Sequence, residues 1–276
     1  MLVHYHKKES QTTSAKKSLG QNFLTDKNKI KNIVAALDLK DNDTVIEIGP
    51  GHGELTNELI TFNKELRMIA IEKDEKLAGT LREDAKISEN NIEIITGDVL
   101  KVLPLLVKSH KLQVIGYKLV GNIPYYITGF LLRIISELEI KPEVTVFTVQ
   151  KEVAERICAK PPKMNLLAAS IQIWARPEIV GIIPKKYFNP QPKVDSAIIK
   201  LTTNNHKPTT KEVENYYKFI KILFKQPRKT ILNNLNGKKT GSKTLAEKIS
   251  ALGVDPASRP QDLPLEKIAE LSNYGL

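Results

Sequence analysis

The sequence predicts an α/β protein, a doubly wound and mostly parallel sheet followed by a small helical domain. Between residues 43 and 150, short apolar runs rich in β-branched residues alternate with stretches of helical period. A glycine turn, VIEIGPGHGELT at 45–56, joins the first such run to the first helical stretch. Beyond the polar, aperiodic stretch TTNNHKPTT (202–210) the pattern becomes helical and Lys-rich, which places a domain boundary there.

Taken in order, strands are expected at 44–48 (TVIEI), 67–71 (RMIAI), 92–95 (IEII), 117–120 (YKLV) and 144–149 (VTVFTV). Helices are expected at 54–63, 75–86 and 128–138, the last because Phe130, Leu131, Ile134, Ile135 and Leu138 fall on one helical face. Two further β-rich runs, 169–174 (ASIQIW) and 194–201 (VDSAIIKL), are expected as antiparallel strands closing the sheet edge. Helices at 211–225, 244–252 and 264–273 complete the chain. The expected division is a basic arm at 1–31, an α/β domain at 32–201 and a helical domain at 211–276.

Composition excludes several classes. At 41% hydrophobic and 26% charged residues the chain is ordinary for a soluble protein, and no run approaches the roughly 18 apolar residues of a membrane span. The first ten residues, MLVHYHKKES, contain no apolar signal core, and Cys158 is the sole cysteine. Neither secretion nor a disulfide framework is indicated, so the cytoplasm is the expected compartment. The net charge of +11 is uneven: residues 1–31 carry +5, residues 201–276 carry +6, and the middle sums to zero. A neutral body with basic ends suits a polyanionic partner, with nucleic acid foremost.

The glycine turn suggests a ligand. Gly49, Gly51 and Gly53 are spaced GxGxG, whereas a nicotinamide dinucleotide turn wants its third glycine where Glu54 stands. Glu72 follows the second strand, where a carboxylate can accept from a ribose diol, and Asp98 follows the third, where it can accept from an adenine amine. Glycine turn, acid and acid on successive strand ends form the layout for an adenosine-bearing cofactor. S-adenosyl-L-methionine fits, since it has no phosphate and GPGHG offers no phosphate-cradling lysine.

After the fourth strand comes VGNIPYYITG (120–129). The lone pair of an adenine N6 amine is delocalised into the ring, and two acceptors on its N–H groups would favour the pyramidal nitrogen of methyl transfer. The side-chain oxygen of Asn122 and the backbone carbonyl of Ile123 can be that pair, with Pro124 fixing the turn and Tyr125 offering a stacking face. No metal is required.

These residues resemble the KsgA/RsmA family of small-subunit rRNA adenine dimethyltransferases. The likeness runs from KKSLGQNFL (16–24) to RPQDLPLEKIAEL (259–271) through GQNFLTD, VIEIGPGHGELT, AIEKD, TGDVL, VGNIPYYIT, QKEVAERICA, FNPQPKVDSA and RKTILNNL. The resemblance implies a Rossmann-like S-adenosylmethionine-dependent methyltransferase sheet with a C-terminal helical rRNA-binding domain. It makes Asn22 and Leu24 lid residues on the cofactor, joined by Gly49, Gly51, Glu72, Asp98 and Asn122, and sets Phe188 opposite Tyr125 around a flipped adenine. Lys185, Lys186, Lys193, Arg228 and Lys229 become RNA-facing cations.

The implied substrate is a pair of adjacent adenosines in the 3′-terminal hairpin of small-subunit rRNA, in the subunit or a precursor 30S-type particle, with the enzyme expected as a monomer. The chain departs from the family pattern at Asn165-Leu166, which replaces a Tyr-Gly pair, and at Pro227, which replaces a basic residue. The alternatives are a large-subunit rRNA adenine methyltransferase that confers antibiotic resistance and a non-catalytic assembly factor.

Overall fold

A computed structural model describes residues 15–16, 19–62, 66–90, 92–109, 116–204, 209–236 and 242–274. Most of the expected basic arm, and the centres of the 202–210 linker and of the Lys-rich loop near 240, lie outside the described residues.

A seven-stranded sheet forms the body, in the order β4-β3-β2-β5-β6-β9-β7. Its members are β2 (Thr44–Ile48), β3 (Arg67–Glu72), β4 (Ile92–Thr96), β5 (Tyr117–Asn122), β6 (Val144–Gln150), β7 (Ala175–Ile183) and β9 (Ser196–Thr203). The first five pair in parallel, while β9 runs antiparallel to both β6 and β7. A separate two-stranded ribbon joins β1 (Phe23–Leu24) to β8 (Phe188–Asn189), with Leu24 opposite Phe188.

Strand alternation sends neighbouring residues to opposite faces, and both faces are covered. Ile46, Ile48, Ile69 and Ile71 join one apolar cluster with α5 (Val99–Lys108) and α6 (Thr128–Glu137). Val45, Met68, Val120 and Val146 join the other with α1 (Lys27–Ala36), α2 (Glu54–Phe62) and α3 (Glu75–Glu83). Asp26, Asp74 and Asp98 each cap the helix that follows, accepting from the backbone N–H of Lys29, Lys76 and Leu100.

Two expectations are corrected. The run at 169–174 belongs mostly to a helix, α8 (Leu166–Gln172), after α7 (Lys151–Ile157). Asn165 caps α8 by accepting from Ala168 N–H, and the small Ala168 and Ala169 let the C-terminal helices approach. The edge strand is instead β7, whose Pro177 and Gly181 obscured it. An edge tolerates proline, and the register shifts between Ile179 and Gly181. The expected helix at 75–86 ends at the extended residue Asp84 and resumes as α4 (Ala85–Ser88).

A third cluster unites α9 (Thr210–Leu223), α10 (Ile231–Leu235), α11 (Ser242–Ala251) and α12 (Leu265–Asn273) with Met164, Ala168 and Ala169. Tyr217 ties it to the sheet body: its hydroxyl donates to the Ser170 carbonyl at 2.8 Å, and the Arg133 guanidinium lies 3.3 Å from its ring centroid. Among the described residues no helix is long and apolar enough to cross a membrane.

Candidate active site

A cavity opens at the carboxyl ends of β2, β3, β4 and β5, where parallel strands deliver their following loops to one place. Gly49, Gly51, Glu72, Asp98, Asn122, Ile123, Pro124 and Tyr125 line it, together with Asn22 from the N-terminal segment. The structure therefore brings most of the sequence-derived site residues together.

Gly51 makes the turn possible. Its φ is +62°, and a Cβ there would stand 2.8 Å from the Phe23 ring. Its N–H donates to Glu72 Oε2 at 3.1 Å, and Asp74 N–H donates to Oε1 at 2.8 Å. Glu72 is 5% exposed, and burial pushes its pKa up against these two amides. Each carboxylate oxygen keeps a further lone pair for a diol. Asp98 spends Oδ1 on Leu100 N–H at 3.0 Å and Oδ2 on Lys73 Nζ at 2.7 Å. The Lys73 ammonium is foremost in holding Asp98 below the usual carboxylate range.

Asn122 ends β5, and its Nδ2 donates to the Asn22 backbone carbonyl at 2.7 Å. A carbonyl can only accept, so the amide nitrogen must face it and Oδ1 is turned away as an acceptor. The Ile123 peptide is anchored by its N–H on the Thr148 carbonyl at 3.3 Å. Pro124 opens a 3₁₀ turn at Tyr125–Ile127, and the Tyr125 hydroxyl shares a 2.7 Å hydrogen bond with Ser196.

Two expected site residues stand elsewhere. Leu24 is buried beside a smaller neighbouring cavity lined also by Glu47 and Asn122. Phe188 is 4% exposed and lies in the core cluster with Leu24, Ile30 and Ile198; it does not line the main cavity. Pairing with β1 holds it there. Lys185, Lys186, Lys193, Arg228 and Lys229 are exposed and stand outside the cavity; Lys185 N–H donates to Asp195 Oδ1 at 2.9 Å.

Sequence reasoning missed Phe23, Lys73 and Tyr126, all of which line the cavity. It also missed the ion pair that ties down the N-terminal segment, Lys16 Nζ on the buried Asp74 at 2.7 Å. Lys73 was legible in principle as the residue after the strand-end acid.

A buried carboxylate with spare lone pairs, a turn that presents Gly49 and Gly51 to the cavity and an apolar cavity rimmed by Tyr125 and Tyr126 fit S-adenosylmethionine. Fold and site together define a Rossmann-like S-adenosylmethionine-dependent methyltransferase. The chain belongs to the ribosomal RNA adenine dimethylase family, whose model matches residues 12–275. Ribosomal RNA small subunit methyltransferase A of Dehalococcoides mccartyi strain BAV1 is 40% identical over 269 residues, covering 95% of this chain and 89% of that protein.

Among solved structures, the 23S rRNA methyltransferase ErmE is 26% identical with a TM-score of 0.70, covering 91% of this chain and 98% of its own. A dimethyladenosine transferase from Plasmodium falciparum shares the fold at a TM-score of 0.72 and 22% identity, covering 92% of this chain and 98% of its own.

Proposed function

We propose that this protein dimethylates N6 of two adjacent adenosines in the 3′-terminal hairpin of small-subunit rRNA, acting as a monomer on the subunit or a precursor 30S-type particle. The hydrogen bond from Asn122 to the Asn22 carbonyl carries the reading, because it turns Oδ1 outward as a fixed acceptor. S-adenosylmethionine supplies the electrophilic methyl group.

Asn122 Oδ1 and the Ile123 carbonyl accept the two N6–H groups and draw the amine toward pyramidal geometry, while Tyr125, braced on Ser196, stacks the base. Glu72 accepts from the cofactor ribose and Asp98 from its adenine amine, and Asn22 closes the lid over them. The segment to residue 31 serves as lid and basic arm, residues 32–201 carry catalysis, and residues 211–276 dock on rRNA. Lys185, Lys186, Lys193, Arg228 and Lys229 meet phosphates.

Identity favours the small-subunit substrate: the relative named for that subunit is 40% identical, against 26% for ErmE. The test is transfer of labelled methyl from S-adenosylmethionine to undermethylated small subunits, large subunits and free RNA. N6,N6-dimethyladenine in the small subunit is expected. Label confined to large-subunit RNA would overturn the substrate, and tight subunit binding without label would leave an assembly factor. Raising salt is expected to weaken RNA binding steeply, by about 0.7 to 0.9 logarithmic units per tenfold salt for each phosphate contact. A flat response in a binding titration would remove the phosphate contacts assigned to these cations.

A further inference from the structure

We propose that Tyr126 and Phe130 form a second base-binding platform at the cavity mouth, holding the nucleotide next to the adenosine inside. The inference rests on the functional reading above and extends it to the second of the two adenosines.

Tyr126 lines the cavity yet is 53% exposed, and Phe130 is 68% exposed, the most open of the large hydrophobic side chains among the described residues. Tyr125, by contrast, is half-buried. Tyr126 is nevertheless placed: the Gly20 backbone of the lid lies against it, so that a Cβ on Gly20 would come within 3.2 Å of the ring. Phe130 does not line the cavity itself but stands four residues on, in the first turn of α6, and a Cβ on Gly129, which lies between the two in the chain, would meet nothing within 4 Å.

Lys73 lines the cavity, and its side chain remains 49% exposed although it is paired with Asp98.

Covalent connectivity selects the occupant. A nucleotide joined by one phosphodiester to the base on Tyr125 must cross the rim where the adjacent residue, Tyr126, stands. Stacking on aromatic faces accepts any base, so the platform can hold either adenosine while its neighbour is in the cavity. The two targets would then exchange places without release of the RNA.

The test uses undermethylated small subunits reconstituted with rRNA that carries 2-aminopurine at the target or at its neighbour, bound by the parent enzyme and by Phe130→Ala. Binding of the parent is expected to quench the neighbour probe. Phe130→Ala should lose at least half of that quenching and bind about fivefold more weakly, the lower end of the effect of one stacked base. The target probe should respond equally with both proteins.

A neighbour probe that brightens, or that responds alike with both proteins, overturns the platform. Unaltered RNA binding by Phe130→Ala would also overturn it and assign the exposed ring to a protein contact instead. If the parent transfers no methyl group to the unlabelled undermethylated subunit, the functional reading itself falls, an outcome distinct from loss of the platform alone.

Discussion

The two walls of the cavity are held in different ways. On the cofactor side the fixing contacts are short in sequence: Glu72 is set by amides 2 and 21 residues away, and Asp98 by an amide 2 residues away and Lys73 at 25. On the acceptor side they span the chain. Asn122 reaches Asn22 across 100 residues, and Tyr125 reaches Ser196 across 71. The first wall is therefore fixed within neighbouring parallel strands, whereas the second depends on the N-terminal segment and on β9.

The largest expected effect tests whether Phe188 packs against that segment or stacks on a base. Phe188→Ala should cost about 3–5 kcal/mol of stability in denaturant unfolding, as for other buried phenylalanines. An unchanged midpoint with lost methylation would instead move its ring to the acceptor. Next, Asn122→Ala should lower single-turnover methylation about 100- to 1000-fold, the range for removing one fixed transition-state partner. A loss below tenfold would reassign catalysis away from the amide.

Glu47 lies in the sheet beneath the glycine turn, 1% exposed, accepting from Thr56 Oγ1 at 2.7 Å. Burial raises its pKa to about 8, from 4.5. The folded state thus keeps a proton that the unfolded chain releases above pH 4.5. Its contribution is full below that pH and is lost as pH rises towards 8. Glu47→Gln should remove this loss, gaining on the order of a few kcal/mol at pH 8 relative to pH 5. Parallel pH profiles of thermal unfolding for the two proteins would contradict it.

The smallest of the four effects belongs to the cofactor wall. Glu72→Ala should weaken cofactor binding about 10- to 100-fold, as for loss of charge-assisted hydrogen bonds, while turnover at saturating cofactor changes little. Unchanged affinity would remove the ribose assignment.

The same contrast explains what was legible. Strands β2 to β6, the glycine turn, Glu72 and Asp98 announce themselves locally, through alternation and strand-end chemistry. The motif around Asn122 is also local, and its proposed chemistry can be argued from residue types alone. Asn22 had no such signal and was reached only by resemblance, because its backbone carbonyl matters in the geometry described here and any residue supplies one.

ASIQIW at 169–174 misled because a short apolar run fits strand and buried helix alike, and the decisive contacts come from α9 more than 40 residues later. Phe188 shares its stretch with a motif, but only the pairing of β8 with β1 shows that its side chain is enclosed.

The central claim is that the walls divide the labour, with Asn122 acting on the acceptor. Calorimetric titration of Asn122→Ala with S-adenosylmethionine tests it most directly. A dissociation constant within about threefold of the parent is expected, well under 1 kcal/mol, in a protein whose methyl transfer has collapsed. Affinity that falls in proportion to turnover would contradict it, making Asn122 a cofactor ligand and leaving the acceptor wall without its polarising group.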